Sequence, residues 1–197
     1  MGSSNDQFDD RELGVLLREL SAVLGSQIPG DVVELGCYKG MTSLGIQRLL
    51  KGTGKKLFLY DSFEGLPEKL AQDQSPAGMQ FKAGELPASK REVVGLFKKS
   101  GMPMPVIKKA WFSDLTSNDL PGHIAFAFLD GDYYESITDS LKLVWPKLSQ
   151  DAVVVVDDYQ NEALPGAQKA VDEWLQLHPA SLRVQASLAV LTNHSGK

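Results

Sequence analysis

The chain of 197 residues is nearly without cysteine and has neither a long apolar run nor a cluster of basic residues. Its one cysteine, Cys37, rules out an internal disulfide framework and fits a reducing compartment, so the cytoplasm is the expected location. No apolar stretch reaches the roughly 18 residues of a membrane span, and no basic segment followed by an apolar one marks a secretory signal. Acidic residues number 25 against 20 basic, a formal charge of −5, and no basic stripe offers a footprint for nucleic acid. The three histidines, His123, His178 and His194, lie too far apart in sequence to suggest a ligand set and read as surface residues. Small molecules are therefore the expected partners, and a homodimer is the default assembly of a soluble enzyme.

The length fits one domain over residues 1–197, with the polar residues 1–9 expected to fray. Apolar residues at Leu13, Leu16, Leu17, Leu20, Val23 and Leu24 follow one helical face from Arg11 to Leu24, a helix read as structural packing. Asp31 to Leu35 reads as a strand, Thr42 to Leu50 as a helix and Leu57 to Tyr60 as a strand ending at Asp61, a βαβ unit. Residues 64–88 show little periodicity and read as a long loop that moves over substrate. Ser89 and Glu92 have capping-box spacing before a helix that stops at Gly101, and Val106 to Lys109 reads as the third strand. Ile124 to Leu129 reads as a strand, Glu135 to Leu148 as a helix and Ala152 to Val156 as a strand. Pro165 to Leu177 then reads as a helix, and two short closing strands follow near Leu182 and Leu188. This alternation predicts an α/β fold, a doubly wound, mostly parallel sheet with a C-terminal antiparallel strand.

Carboxylates follow two of the apolar runs at once. Asp130 and Asp132 come after the fourth strand, and Asp157 and Asp158 after the fifth. Acids at the carboxyl ends of parallel strands face the ligand crevice of such a sheet, and oxygen donors converging there suit a hard cation such as Mg²⁺. The competing reading is that they cap the helices that follow. Glu34-Leu35-Gly36-Cys37-Tyr38-Lys39-Gly40 places glycines between a strand and a helix, where a ligand can approach bare backbone. The Gly-x-x-x-Gly spacing is neither the dinucleotide fingerprint nor a Walker loop, which leaves a compact ligand without phosphates, such as S-adenosylmethionine. The expected cofactor-binding set is Glu34, Gly36, Tyr38, Gly40, Thr42 and Ser43, with Asp61 and Ser62 after the second strand, Trp111 and Phe112 after the third, and Asp130. Asp61 suits the two ribose hydroxyls but equally suits a turn, and Trp111 and Phe112 suit either stacking on a base or ordinary packing. Cys37 reads as a small side chain that fits, not as a nucleophile.

Five ordered segments resemble the metal-dependent macrocin O-methyltransferase (TylF-type) family: Asp61 to Pro67, Leu129 to Ser136, Trp145 to Ser149, Asp157 to Tyr159, and Pro165 to Asp172. The resemblance implies a Rossmann-like class I methyltransferase fold, S-adenosylmethionine as methyl donor, and Mg²⁺ held by Asp130, Asp157 and Asp158. It also implies Asp132 as the base that takes the proton of a hydroxyl on a small sugar-containing or phenolic acceptor. Alanine at 110 and Gln150-Asp151 depart from the glycines usual in that family. The alternative class is a nucleotide-binding module, non-catalytic or differently active, without a metal site. A dehydrogenase is poorly supported without the dinucleotide glycines.

Overall fold

The structure, a computed structural model, describes residues 9–76 and 81–194. The expected fraying over 1–8 and the 77–80 part of the long loop lie outside those residues. Asp9 does not fray. It caps helix α1 (Asp10–Gly25), its side chain accepting the amides of Arg11 and Glu12 at 2.8 Å while Glu12 Oε2 accepts the Asp9 amide at 2.9 Å. This reciprocal box satisfies amides that a helix start otherwise leaves unbonded.

Seven strands follow in chain order: β1 (Asp31–Leu35), β2 (Leu57–Asp61), β3 (Val106–Lys109), β4 (Ile124–Leu129), β5 (Leu148–Val156), β6 (Ser181–Gln185) and β7 (Leu188–Thr192). Among the described residues they form one sheet in the order β3-β2-β1-β4-β5-β7-β6, parallel except where β7 pairs antiparallel with both β5 and β6. The chain winds outward from β1 to β3 and then returns to place β4 on the other side of β1. Helices α2 (Met41–Leu50), α3 (Lys90–Ser100), α4 (Tyr134–Val144) and α5 (Pro165–Leu177) make the connections. This is the doubly wound sheet of a class I methyltransferase fold, and the reversal between β1 and β4 opens a crevice at the carboxyl ends of the strands.

The central strand explains why both faces must be covered. All six residues of β4 are buried, and successive side chains alternate between two cores. Phe126 and Phe128 join Leu16, Leu20, Val93 and Phe97 on the side of α1, α2 and α3. Ala127 and Leu129 join Ile137, Leu141, Ala167 and Val171 on the side of α4 and α5. Each fully buried Phe or Leu contributes about 1.5–3 kcal/mol, so this layer carries much of the stability that holds the crevice open.

Two expectations are corrected. The helix read as running from Glu135 to Leu148 ends at Val144, and Trp145–Lys147 tighten into a 3-10 turn. Pro146 lacks an amide and its ring crowds the preceding turn, so the helix cannot continue through it. Strand β5 consequently starts at Leu148, four residues before the apolar run. Leu148 pairs with Ile124, and the register then slips so that Val153 faces Phe126. The apolar signal marked only the buried centre of that strand. His178 is also more than a surface residue, since its ring stacks on Trp174 with centroids 3.9 Å apart.

Candidate active site

A cavity of about 1350 Å³ lies over the carboxyl ends of β1, β2, β4 and β5. Asp130 and Asp157 are tethered to the sheet through their own backbones. The Asp130 amide donates to the Leu35 carbonyl at 2.8 Å and the Asp157 amide to the Leu129 carbonyl at 2.9 Å. Neighbouring strands therefore set the positions of these acids.

Carboxylate oxygens of Asp130, Asp132 and Asp158 lie within 4.8 Å of one another. Asp132 and Asp158 both have left-handed backbones, with φ of 60° and 57°. Aspartate tolerates that region better than most residues, and such conformations gather at functional sites. Asp157 lines the same cavity. Its Oδ1 accepts the Asp158 amide at 2.9 Å, and Asp158 Oδ1 is oriented by the Asn161 side-chain amide at 2.7 Å. The structure thus gathers Asp130, Asp132 and Asp158 most tightly, with Asp157 beside them.

Asp130 presents one face to the cavity, although dense protein surrounds the rest of it. Burial, followed by the charges of Asp157, Asp132, Asp158 and Glu34, pushes its carboxyl well above the ordinary value. Asp157 is pushed the same way by burial, then by Asp158 and Glu12. Like charges held this close favour either a proton or a cation. An all-oxygen set of carboxylates open to a cavity fits a hard divalent ion that keeps positions for other ligands.

On the other side of Gly36 the loop is tied down by Asp61. Its Oδ2 accepts the amides of Cys37 at 2.9 Å and Tyr38 at 2.8 Å, and its Oδ1 accepts Phe63 at 2.7 Å. Asp61, Ser62, Tyr38, Thr42, Trp111 and Phe112 all line the cavity, as do Glu34 and Gly36. Ser43 and Gly40 stand away from it. Ser43 is fully buried behind the loop. A side chain on Gly40 would press on Val93, its Cβ 3.1 Å from Val93 Cγ1. Gly36 is required by the fold itself, because a Cβ there would lie 1.8 Å from the Asp130 carbonyl oxygen. The thiol of Cys37 is pushed far up by burial and by the charges of Asp61 and Glu34, which makes it inert as a nucleophile.

Glu34 is only 1 % exposed, and neither of its oxygens has a hydrogen-bond partner among the described residues. Burial raises its carboxyl to about 8, with the nearby Ser43 hydroxyl opposing the rise and Asp61 adding to it. The Ser43 hydroxyl is itself buried without a hydrogen-bond partner among the described residues, and Glu34 is a buried acid. Such an acid awaits a cationic group. In the ligand-free protein the folded state holds this proton between the unfolded value near 4.3 and about 8, so stability falls as pH rises through that window. Glu34→Gln is expected to remove this contribution, roughly a few kcal/mol at most. Urea unfolding at pH 6 and pH 9 would measure it, and an unchanged pH dependence in the variant would show that Glu34 is not the group concerned.

Two contributors escaped the sequence reading. Helix α1, taken as packing alone, brings Asp9, Asp10, Glu12, Leu13 and Leu17 to the cavity wall, and Glu12 accepts a hydrogen bond from Ser187. The first part of the long loop also reaches the site. Gly65, Leu66 and Pro67 line the cavity, Leu66 packs with Tyr133 and Leu164, and Asp73 is buried.

The family model described as macrocin-O-methyltransferase (TylF) matches residues 9–186. An 8-demethyl-8-(2,3-dimethoxy-alpha-L-rhamnosyl)-tetracenomycin-C 4'-O-methyltransferase from Streptomyces olivaceus is 31% identical over 153 residues, 73% of this chain and 58% of that protein. Demethyldecarbamoylnovobiocin O-methyltransferase from Streptomyces niveus is 31% identical over 161 residues, 77% of this chain and 60% of that protein. The solved O-methyltransferase NovP superposes with a TM-score of 0.80 at 26% identity, over 94% of this chain and 80% of that one. The chain therefore spans about three fifths of the length of these two curated relatives.

Proposed function

The chain belongs to the macrocin O-methyltransferase (TylF) family, and from that premise we propose that it moves a methyl group from S-adenosylmethionine to a hydroxyl of a small sugar-containing or phenolic metabolite in a magnesium-dependent reaction. The observation that carries this reading is the meeting of Asp130, Asp132 and Asp158 within 4.8 Å at the strand ends. Both relatives named above are O-methyltransferases, and the name of the first gives a rhamnosyl compound as its substrate, in keeping with a sugar-containing acceptor.

Asp130 and Asp158 would hold the ion, with Asp157 as third ligand from the same rim. Magnesium bound there supplies positive charge that offsets the clustered carboxylates and makes a coordinated hydroxyl more acidic. The methyl donor supplies an electrophilic sulfonium carbon. Asp132 takes the hydroxyl proton, its carboxylate set beside the cation ligands and turned toward the cavity by a left-handed backbone. Glu34, buried and without a hydrogen-bond partner among the described residues, would hold the ammonium group of the donor. Asp61 fixes the loop amides of Cys37 and Tyr38 and keeps the donor-side wall rigid. Trp111 and Phe112 offer ring surface for the adenine. Rigid walls matter because aligned reactants account for about 7–11 kcal/mol of barrier reduction in well-oriented systems.

Methyl-labelled S-adenosylmethionine incubated with a panel of glycosides and catechols tests the reading. Label is expected in an acceptor when Mg²⁺ is present, and EDTA should reduce transfer to background until Mg²⁺ is restored. Transfer that ignores EDTA would remove the metal from the reaction, and failure to bind the labelled donor would remove the activity itself.

A further inference from the structure

One buried carboxylate has no part in the chemistry above. Asp73 lies in the loop after β2, in a 3-10 turn over Ala71–Asp73, and is 1 % exposed. Its Oδ1 accepts the amide of Tyr134, the first residue of α4, at 2.7 Å, and its Oδ2 accepts the Leu70 amide at 3.1 Å. The N-cap of α4 is Tyr133, which makes no side-chain capping bond. The start of the helix is therefore satisfied by a residue 61 positions earlier.

Helix α5 comes to the same carboxylate. Its N-cap, Leu164, also makes no side-chain capping bond. Gly166, in its first turn, sits so close that a Cβ there would lie 1.9 Å from Asp73 Oδ1 and 2.8 Å from the Tyr134 amide nitrogen. Asp73 thus lies between the starts of two helices, where aligned backbone dipoles favour negative charge.

The position matters because Asp132 is two residues before Tyr134. The segment from Asp130 to Tyr134 is a short bridge between β4 and α4. At its sheet end the Asp130 amide donates to the Leu35 carbonyl, and within it the Tyr133 amide donates to the Gly131 carbonyl at 2.6 Å. At its helix end the bond is to Asp73. We propose that Asp73 is a positioning residue, which holds the start of α4 and thereby sets Asp132 and the spacing of the Asp130–Asp132–Asp158 cluster. This inference rests on reading that cluster as a divalent-cation site.

Mn²⁺ serves as the probe, its free concentration followed by electron paramagnetic resonance during titration of the full chain. Wild type, Asp73→Ala, Asp73→Asn and Gly166→Ala are compared, with far-UV circular dichroism and melting curves to establish folding and calorimetry with S-adenosylhomocysteine as control. Asp73→Ala and Gly166→Ala are expected to weaken Mn²⁺ binding about 10- to 100-fold, the usual scale for losing a group that orients a ligand. Binding of S-adenosylhomocysteine should change little, since Asp61 and Glu34 are untouched. Asp73→Asn keeps an oxygen for the Tyr134 amide and should recover most of the affinity.

Gly166→Ala separates this from a purely structural role. Alanine is the better helix former, so harm to metal binding would come from its Cβ pressing on Asp73 Oδ1 and the Tyr134 amide, the junction that holds the start of α4. It also decides the matter with Asp73→Asn should Asp73→Ala not fold. Folded variants that bind Mn²⁺ as wild type does would overturn the positioning role and leave the cation site intact. A wild-type protein without Mn²⁺ affinity would remove the cation site, and this inference with it.

Discussion

Asp130→Asn is expected to lower methyl transfer about a thousandfold, the scale of losing a principal electrostatic group in an active site, while making the ligand-free protein harder to unfold at pH 8. The two effects share one origin. Asp130 sits among Asp157, Asp132, Asp158 and Glu34, and burial with these charges raises its carboxyl well above its ordinary value. An unfolded aspartate loses its proton near pH 3.9. Above that pH the folded chain retains a proton that the unfolded chain has lost, so stability declines as pH rises from about 4 up to the raised folded value. Asparagine keeps the shape, removes the charge and removes that decline. Thermal unfolding in EDTA at pH 5 and pH 8 should show a smaller loss for the variant than for wild type. Added Mg²⁺ should raise the melting temperature of wild type and leave the variant unmoved. A variant with wild-type turnover, or one that Mg²⁺ stabilises equally, would take Asp130 out of the cation site.

Gly36→Ala should be the most damaging single methyl group that can be added near the site, at about 4 kcal/mol or more, in the range reserved for severe lesions. Two costs combine. The backbone has φ +91°, where a side chain is strained. The new Cβ would also meet the Asp130 carbonyl oxygen at 1.8 Å and its carbon at 2.7 Å, and main chain cannot rotate away as a side chain can. Relief requires β1 and β4 to part where the Asp130 amide bonds Leu35, which would move Asp130 as well. Gly40→Ala is the internal comparison. Its φ is +83°, but the obstruction is Val93 Cγ1 at 3.1 Å, the tip of a side chain. Denaturant unfolding should find the second substitution cheaper by at least about 2 kcal/mol, on the scale of core overpacking. Equal costs would mean that backbone strain alone decides both positions.

The sheet was legible because β4 and the centre of β5 are buried on both faces and must be apolar throughout, while α1 and α3 each carry one apolar stripe and α3 a recognisable cap at Ser89. The acids at the strand ends were legible for the same reason, since each follows an apolar run at once. The first residues of β5 were not, because Leu148 and Ser149 come straight after a proline turn and join the sheet through a slipped register. Asp73 was invisible for a different reason. Its partners, Tyr134 and Gly166, are 61 and 93 positions away, and no local pattern encodes an amide supplied by another element. Glu12 carried no signal in the sequence, because its neighbours Ser187 and Asp157 come from the far end of the chain. Gly36 was recognised as special, yet its closest neighbour is the Asp130 carbonyl and not open space for a ligand.

The reciprocal capping of Asp9 and Glu12 has a practical side. Because those two residues form part of the cavity wall, the start of α1 stands directly beside the site. At the other terminus β7 runs against its parallel neighbours, and His194 reaches Asp151 at 3.1 Å, at the opposite pole of the sheet. A handle or tether attached next to His194 therefore stands away from the cavity, whereas one attached next to Asp9 stands beside its wall.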